Sequence, residues 1–303
     1  MLESILSILF VYLFILLGLI AKKIFKEQMD SKTLTIFSVY FLQPFVAMWG
    51  FSTAKLSIEH GYVVLYYFGI IFILLIPTLF IAKRLFDDPK KRAIFSIAGF
   101  VGNTGNIGIP LGIALFGESS VIYTTLINIA NVFVVYILGV YIYSRGSFSI
   151  RESLKNIIKI PIIPASIIAI LINIYGLDFP KQIENLLKMG AYGGIVLQLF
   201  LLGTFLYGIK ITELDRRLLV GTLSQKFIIV PLMTLILLQF TNLSIYTKEI
   251  IFMEMMTPLA VANINLASLY DCKPKSVSTL ILISTIVFIP IVFGFINLPQ
   301  LPN

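Results

Sequence analysis

Apolar stretches of about twenty residues recur along the chain, separated by short polar segments, and each is long enough to cross a bilayer as a helix at ~1.5 Å per residue. They cover residues 4–21, 33–53, 61–82, 93–116 and 119–143, then 158–175, 191–209, 218–240, 248–270 and 276–296. The pattern predicts an all-α, polytopic membrane protein of ten transmembrane helices in one domain, 1–303. The first stretch has no basic leader and no small-residue cleavage site, so it is expected to stay as a helix.

The polar segments divide by charge. Those after predicted helices 1, 3, 5, 7 and 9 hold eighteen of the 23 Lys and Arg residues, whereas the opposite side holds Lys55, Lys181, Lys188 and Lys248, and Lys226 falls inside helix 8. Cytoplasmic loops carry the excess of Lys and Arg, so both termini are expected outside. Two halves of five helices each must run in opposite senses across the membrane, which is the inverted-repeat arrangement. The repeats would be 1–146 and 156–303, joined by a polar, basic loop over 144–156.

Composition agrees and excludes other classes. Of 303 residues 58% are hydrophobic and 13% charged, with mean hydropathy +0.97, against about 25% charged in soluble domains. One cysteine, Cys272, and one histidine, His60, build no disulfide, redox pair or metal cluster. The net charge of +8 sits in short loops, where it sets orientation. The partner it implies is the lipid bilayer, not nucleic acid.

The chemistry concentrates in two interruptions. Predicted helix 4 carries Gly102, Asn103, Thr104, Gly105, Asn106, Ile107, Gly108, Ile109 and Pro110, and helix 9 carries Thr257, Pro258 and then Asn263 and Asn265. Glycine and proline break a continuous helix, and the freed backbone groups are tolerated in a membrane only where protein or a wet cavity satisfies them. Broken helices at corresponding places of two halves mark a transporter binding site near mid-bilayer. Half-helix N-termini suit an anion, while Asn, Thr and carbonyl oxygens equally suit sodium, so the motif leaves both open. The competing reading is a flexible kink with amides bonding between helices.

Other polar residues are less specific. Gln43, beside Pro44, and Gln198 occupy equivalent helices and join the candidate site; Asn128, Asn131, Ser284 and Thr285 read as interhelical hydrogen bonders. Lys226 and Glu254 are intramembrane charges, candidates for ion coupling to sodium or protons or for pairing with each other, or else snorkelling side chains. Tyr62, Tyr66 and Tyr67 suggest an interfacial belt and packing. No enzyme is expected: His60 falls in a predicted outer loop, without a Ser–His arrangement or paired aspartates in the spans, and no cofactor is implied.

The element Asn103-Thr104-Gly105-Asn106-Ile107-Gly108-Ile109-Pro110, with Pro258, Asn263, Ala267, Tyr270 and Pro274, resembles the auxin efflux carrier family, which includes the plant PIN-FORMED proteins and prokaryotic malate or malonate permeases. The resemblance covers the whole chain in helix count and order. It implies the inverted five-plus-five fold of bile-acid and sodium/proton transporters, with crossover helices 4 and 9. It further implies a scaffold containing helices 1, 2, 6 and 7, an elevator-like movement, and a homodimer. The site would comprise Asn103, Thr104, Gly105, Asn106, Pro110, Pro258, Asn263 and Asn265. The long central loop of plant members is absent, and Asn263 stands where they tend to carry a second proline. A small carboxylate carrier of a prokaryotic cell membrane is therefore expected. A sodium- or proton-coupled carrier of another solute, or a sensor that does not translocate, are the alternatives.

Overall fold

A computed structural model describes residues 2–145, 149–209 and 214–295. Residues 146–148 of the expected repeat junction, Lys210 of the basic loops and Ile296 of the last predicted helix lie outside the described residues. All regular elements described are helical; an isolated antiparallel bridge pairs Gly102 with Leu259.

In chain order the helices are α1 (Leu2–Phe25), α2 (Ser31–Gly50), α3 (Ile58–Leu85), α4 (Pro89–Ile97), α5 (Ile109–Phe116), α6 (Glu118–Tyr143), α7 (Ile150–Ile158), α8 (Ile162–Ile174), α9 (Lys181–Leu206), α10 (Arg216–Gln239), α11 (Ile245–Met256), α12 (Ala262–Leu269) and α13 (Pro274–Phe295). Local chemistry explains their ends. Asp30, Asp88, Asp215 and Ser244 accept hydrogen bonds from the first free amides of α2, α4, α10 and α11. Pro89 opens α4, where a missing N–H costs nothing. In α2 and α10 a π-helical turn, Ser38–Leu42 and Gln225–Ile229, immediately precedes the turn containing Pro44 or Pro231. The widened turn accommodates the lost donor and the ring.

Among the described residues seven helices are long and apolar enough to cross a membrane: α1, α2, α3, α6, α9, α10 and α13. The α7–α8 pair makes an eighth if counted as one span, despite its 67° bend. This is a multi-pass membrane protein.

The helix limits correct the sequence reading in three places. The expected loop over 144–156 contains α7, whose apolar residues Ile150, Leu154, Ile157 and Ile158 repeat at helical spacing between charges. The sixth predicted helix starts only at Ile162, after the bend. Predicted helix 7 begins at Lys181 rather than 191, because its first turns are helical but charged.

The chain divides into two compact units. The first comprises residues 1–61, 105–129 and 155–208, and the second 62–104, 130–154 and 209–303. In the first, α1 and α9 pack at glycines: a Cβ on Gly203 would fall 1.9 Å from the Ile15 carbonyl oxygen, and one on Gly18 1.9 Å from that of Phe200. Without side chains there, the two backbones meet directly, as small residues allow between membrane helices. Gly190 and Gly194 of α9 likewise receive Phe45 and Leu42 of α2. Phe51, Ile122 and Ala169 form a buried cluster with Met48, Leu56 and Leu126 around it. The Asn173 side chain clips the turn after α2 to α8: its Nδ2 donates to the Phe51 and Ala54 carbonyls at 2.6 and 2.8 Å, and its Oδ1 accepts from Leu56 N at 2.9 Å.

In the second unit three ion pairs tie one end together. Lys90 pairs with Asp271 at 2.5 Å, Lys91 with Asp215 at 2.6 Å and Lys273 with Asp88 at 3.0 Å, joining the start of α4 to the turns before α10 and α13. All are partly or largely exposed, so water screens them and each contributes little to stability.

Candidate functional site

Two non-helical stretches meet inside the second unit. After α4 the helix ends at Ile97 and resumes only with a π-helical turn at Thr104–Gly108; after α11 it ends at Met256 and resumes at Ala262. Each gap leaves backbone groups unpaired within its own helix, and the two gaps satisfy each other. Asn103 N–H donates to the Pro258 carbonyl at 2.8 Å, and Ala260 N–H donates to the Val101 carbonyl at 2.9 Å. A two-residue scrap of antiparallel pairing thus closes the interruption of both helices, which is how irregular backbone persists at membrane depth.

Side chains complete it. Asn131, on α6, donates through Nδ2 to the Gly102 carbonyl at 2.9 Å and to Thr104 Oγ1 at 3.1 Å. Its Oδ1 accepts from the Tyr67 hydroxyl of α3 at 3.0 Å. Asn263 Nδ2 donates to the carbonyls of Val101 and Ala260 at 3.3 and 3.2 Å, and Tyr143 OH donates to its Oδ1 at 3.4 Å. Ser284 Oγ of α13 accepts from Leu259 N at 3.2 Å. Asn103, Thr104, Asn131, Thr257 and Asn263 are all buried. Asn103 Nδ2 is left over: it is buried and donates to no group among the described residues.

Two charges border the pairing. Lys226, 1% exposed, sits in the π-helical turn of α10, and its Nζ lies 3.0 Å from where a Cβ on Gly102 would be; Thr257 Oγ1 lies 2.6 Å from the same point. Glycine at 102 is what leaves them room. Glu254, in α11, is fully buried. Both side chains are buried rather than extended to an exposed surface.

Pro258, Asn263, Asn103 and Thr104 therefore come together in the second unit. Asn265 does not: it is exposed on α12, two positions round the helix from Asn263. Gly105, Asn106, Pro110, Gln43 and Gln198 belong to the first unit. There Gly105 meets Asn128, Gln198 is buried in α9, and Gln43 is half-buried in α2. Pro110 directly follows the π-helical turn Thr104–Gly108, as Pro44 and Pro231 follow theirs, and the widened turn accommodates its ring and missing N–H.

Sequence reasoning undervalued three residues. From sequence Asn131 reads only as a general interhelical hydrogen bonder, Tyr67 only as part of an interfacial belt and packing, and Tyr143 carries no signal. Tyr67 takes the packing role: it is 1% exposed and lies one helical turn after Val63 and before Ile70 and Ile71, all buried, a spacing that carries the signal. His60 is also corrected. It is buried in the first turn of α3, where its Nδ1 accepts from Ser57 N at 3.0 Å, lies 2.8 Å from Ser57 Oγ, and its ring stacks on Tyr123 at 4.6 Å. This Ser–His contact is a three-residue turn closing the start of a helix.

A bundle of membrane helices with two mutually paired interruptions and buried charges beside them defines a polytopic transporter-type membrane protein. A family model described as membrane transport protein matches residues 3–296. The chain belongs to that family, the auxin efflux carriers. It is also similar to an uncharacterized transporter of Methanocaldococcus jannaschii, 24% identical over 212 residues that cover 68% of each chain.

Proposed function

We propose that this membrane transporter carries a small carboxylate, bound where the two interrupted helices pair. The observation that carries the reading is the Asn103 side chain, a buried Nδ2 donor without an acceptor among the described residues, in the same pairing whose neighbouring residue, Gly102, is bordered by the Lys226 ammonium. A spare amide donor and a cation in one pairing are complements for a carboxylate group. An unused buried donor also costs free energy unless a ligand takes it up.

In this reading the chain has ten spans, obtained by counting the α7–α8 pair and the interrupted pairs α4–α5 and α11–α12 as one each, arranged as two inverted repeats, 1–146 and 156–303. The second unit, with Asn103, Lys226, Pro258 and Asn263, carries the substrate by elevator-like alternating access. The first unit, with α1, α2, α8 and α9, is the scaffold and the place of a homodimer contact. Both termini face outward from the cell membrane.

The test is tracer uptake into proteoliposomes of malate, malonate and an indole carboxylate, comparing the wild type with Asn103→Ala. Saturable flux that falls at least tenfold in the variant is the expected result. Undiminished flux in the variant removes Asn103 from the site, and binding without flux in the wild type makes the protein a sensor.

A further inference from the structure

Glu254 is fully buried, and neither of its carboxylate oxygens accepts a hydrogen bond from the described residues. Its backbone is tied to the second interruption, since its carbonyl accepts from both Thr257 N, at 3.2 Å, and Thr257 Oγ1, at 2.7 Å. That same Thr257 hydroxyl, with Lys226 Nζ, borders Gly102 in the first interruption. The carboxyl group and the ammonium thus flank one pairing of two helices, each linked to it through Thr257 or Gly102.

The groups facing Glu254 are few. Lys226 of α10 and Tyr67 of α3 lie within electrostatic reach, and the Tyr67 hydroxyl is already committed to Asn131. On α11 itself the other charged residues are Lys248 and Glu249, near its start. Helix α12 carries none, and α13 offers Ser284 and Thr285, whose hydroxyls donate to the Ile281 carbonyl.

An ionised carboxylate without donors is costly inside a membrane. The nearby ammonium offsets its charge but supplies no hydrogen bond. A metal cation is a poor occupant, because hard cations require a shell of oxygens and would meet Lys226 here. A proton needs neither a shell nor extra space. Charge balance then links the proton to the substrate. With Lys226 protonated and Glu254 ionised the empty site is neutral. Adding one carboxylate makes it −1, and protonating Glu254 restores neutrality, which removes the cost of moving net charge through the bilayer.

We propose that Glu254 is the proton-binding residue of this carrier and that it takes up one proton for each carboxylate group bound beside Lys226. The stoichiometric part rests on the carboxylate reading above. The proton enters Glu254 from the aqueous face that supplies the substrate and leaves to the face that receives it, with no bond of the substrate made or broken.

Two measurements test this, each with thermal unfolding to establish that variants are folded. The first needs no substrate: infrared pH-difference spectra of the lipid-reconstituted protein should contain the C=O stretch of a buried carboxylic acid that disappears in Glu254→Gln and returns in Glu254→Asp. Absence of that band, or its persistence in Glu254→Gln, overturns the proposal whatever the flux. The second is uptake of malonate or malate under imposed gradients. For a monoanion, an inward proton gradient should give about tenfold accumulation per pH unit, with Glu254→Gln losing all gradient-driven accumulation and Glu254→Asp recovering it. Accumulation driven by sodium alone, or still driven by pH in Glu254→Gln, overturns the proposal. A Glu254-dependent band in a protein that moves no carboxylate confirms the proton site and refutes the carboxylate reading instead.

Discussion

Asn131 holds the interruption of α4 open, and removing its side chain measures how much that geometry depends on one amide. In Asn131→Ala the Gly102 carbonyl loses its side-chain donor and the Tyr67 hydroxyl its acceptor, both in surroundings closed to water: Asn131 is 6% exposed and Tyr67 1%. Side-chain hydrogen bonds between membrane helices average only ~0.6 kcal/mol, whereas an orphaned buried polar group costs about 1–3 kcal/mol. Three lost bonds, two of which leave orphans, therefore destabilise the protein by about 2–3 kcal/mol. Tyr67→Phe removes one bond and orphans one oxygen, for about 1 kcal/mol. Because the two variants share the Tyr67–Asn131 bond, the double variant should fall short of the sum by about 0.5–1 kcal/mol. Unfolding in mixed micelles of increasing sodium dodecyl sulfate fraction, followed by fluorescence of the single tryptophan, Trp49, and by circular dichroism, gives all four corners of the cycle. An Asn131→Ala cost under about 0.5 kcal/mol, or strict additivity, would refute the view that this amide supports the break.

Gly203→Val should separate α1 from α9, because its Cβ alone would overlap the Ile15 carbonyl oxygen. Overpacking of this kind costs about 1–3 kcal/mol or more, seen as a lowered thermal midpoint or loss of monodisperse protein on gel filtration, and wild-type behaviour would contradict the close approach. Asn173→Ala removes the three bonds that fasten the turn after α2, so the 51–56 backbone should exchange its amide hydrogens at least tenfold faster, read by mass spectrometry. Lys91 and Lys90, by hydrogen bonding to Asp215 and Asp271, hold those carboxylates below their usual range. Groups with a depressed folded pKa stabilise above the ordinary value of ~3.9 and lose that contribution as pH falls through the folded one. The thermal midpoint should accordingly drop on acidification below about pH 4, and less steeply in Asp215→Asn with Asp271→Asn; parallel pH profiles would show that the pairs do not matter.

Legibility from sequence followed the physics of each segment. Long apolar runs announce membrane helices without ambiguity, and so α1, α3, α6, α10 and α13 fall close to the spans read from hydropathy. Gly102 to Pro110 and Thr257 to Pro258 also announce interruptions, because glycine and proline act locally. What hydropathy misses is helix whose polarity is set by its surroundings. The charged start of α9 and the alternating α7 look like loop to a hydropathy window, though the 150, 154, 157 and 158 spacing is helical. The site was half legible. Asn103 stands inside its break and Asn263 in the first turn after the other, so both identify themselves, while Asn131, Tyr67 and Tyr143 reach the breaks only through tertiary packing from α3 and α6. Asn265 shows the opposite error: motif proximity does not fix the side of a helix, and it is exposed.

The Gly102–Leu259 pairing has a consequence for biosynthesis. The ribosome delivers residues 98–103 long before residues 257–261 exist, so the gap after α4 enters the membrane with amides and carbonyls that no neighbouring strand can receive. Until α11 and α12 are made, that segment must borrow partners from water, lipid headgroups or the insertion machinery. A chain truncated before Thr257 should accordingly expose position 103 to a membrane-impermeant thiol reagent when a cysteine is placed there, whereas the finished chain should protect it. The two halves of the molecule are thus obliged to mature together, with the earlier one remaining a client of the cell until the later one arrives.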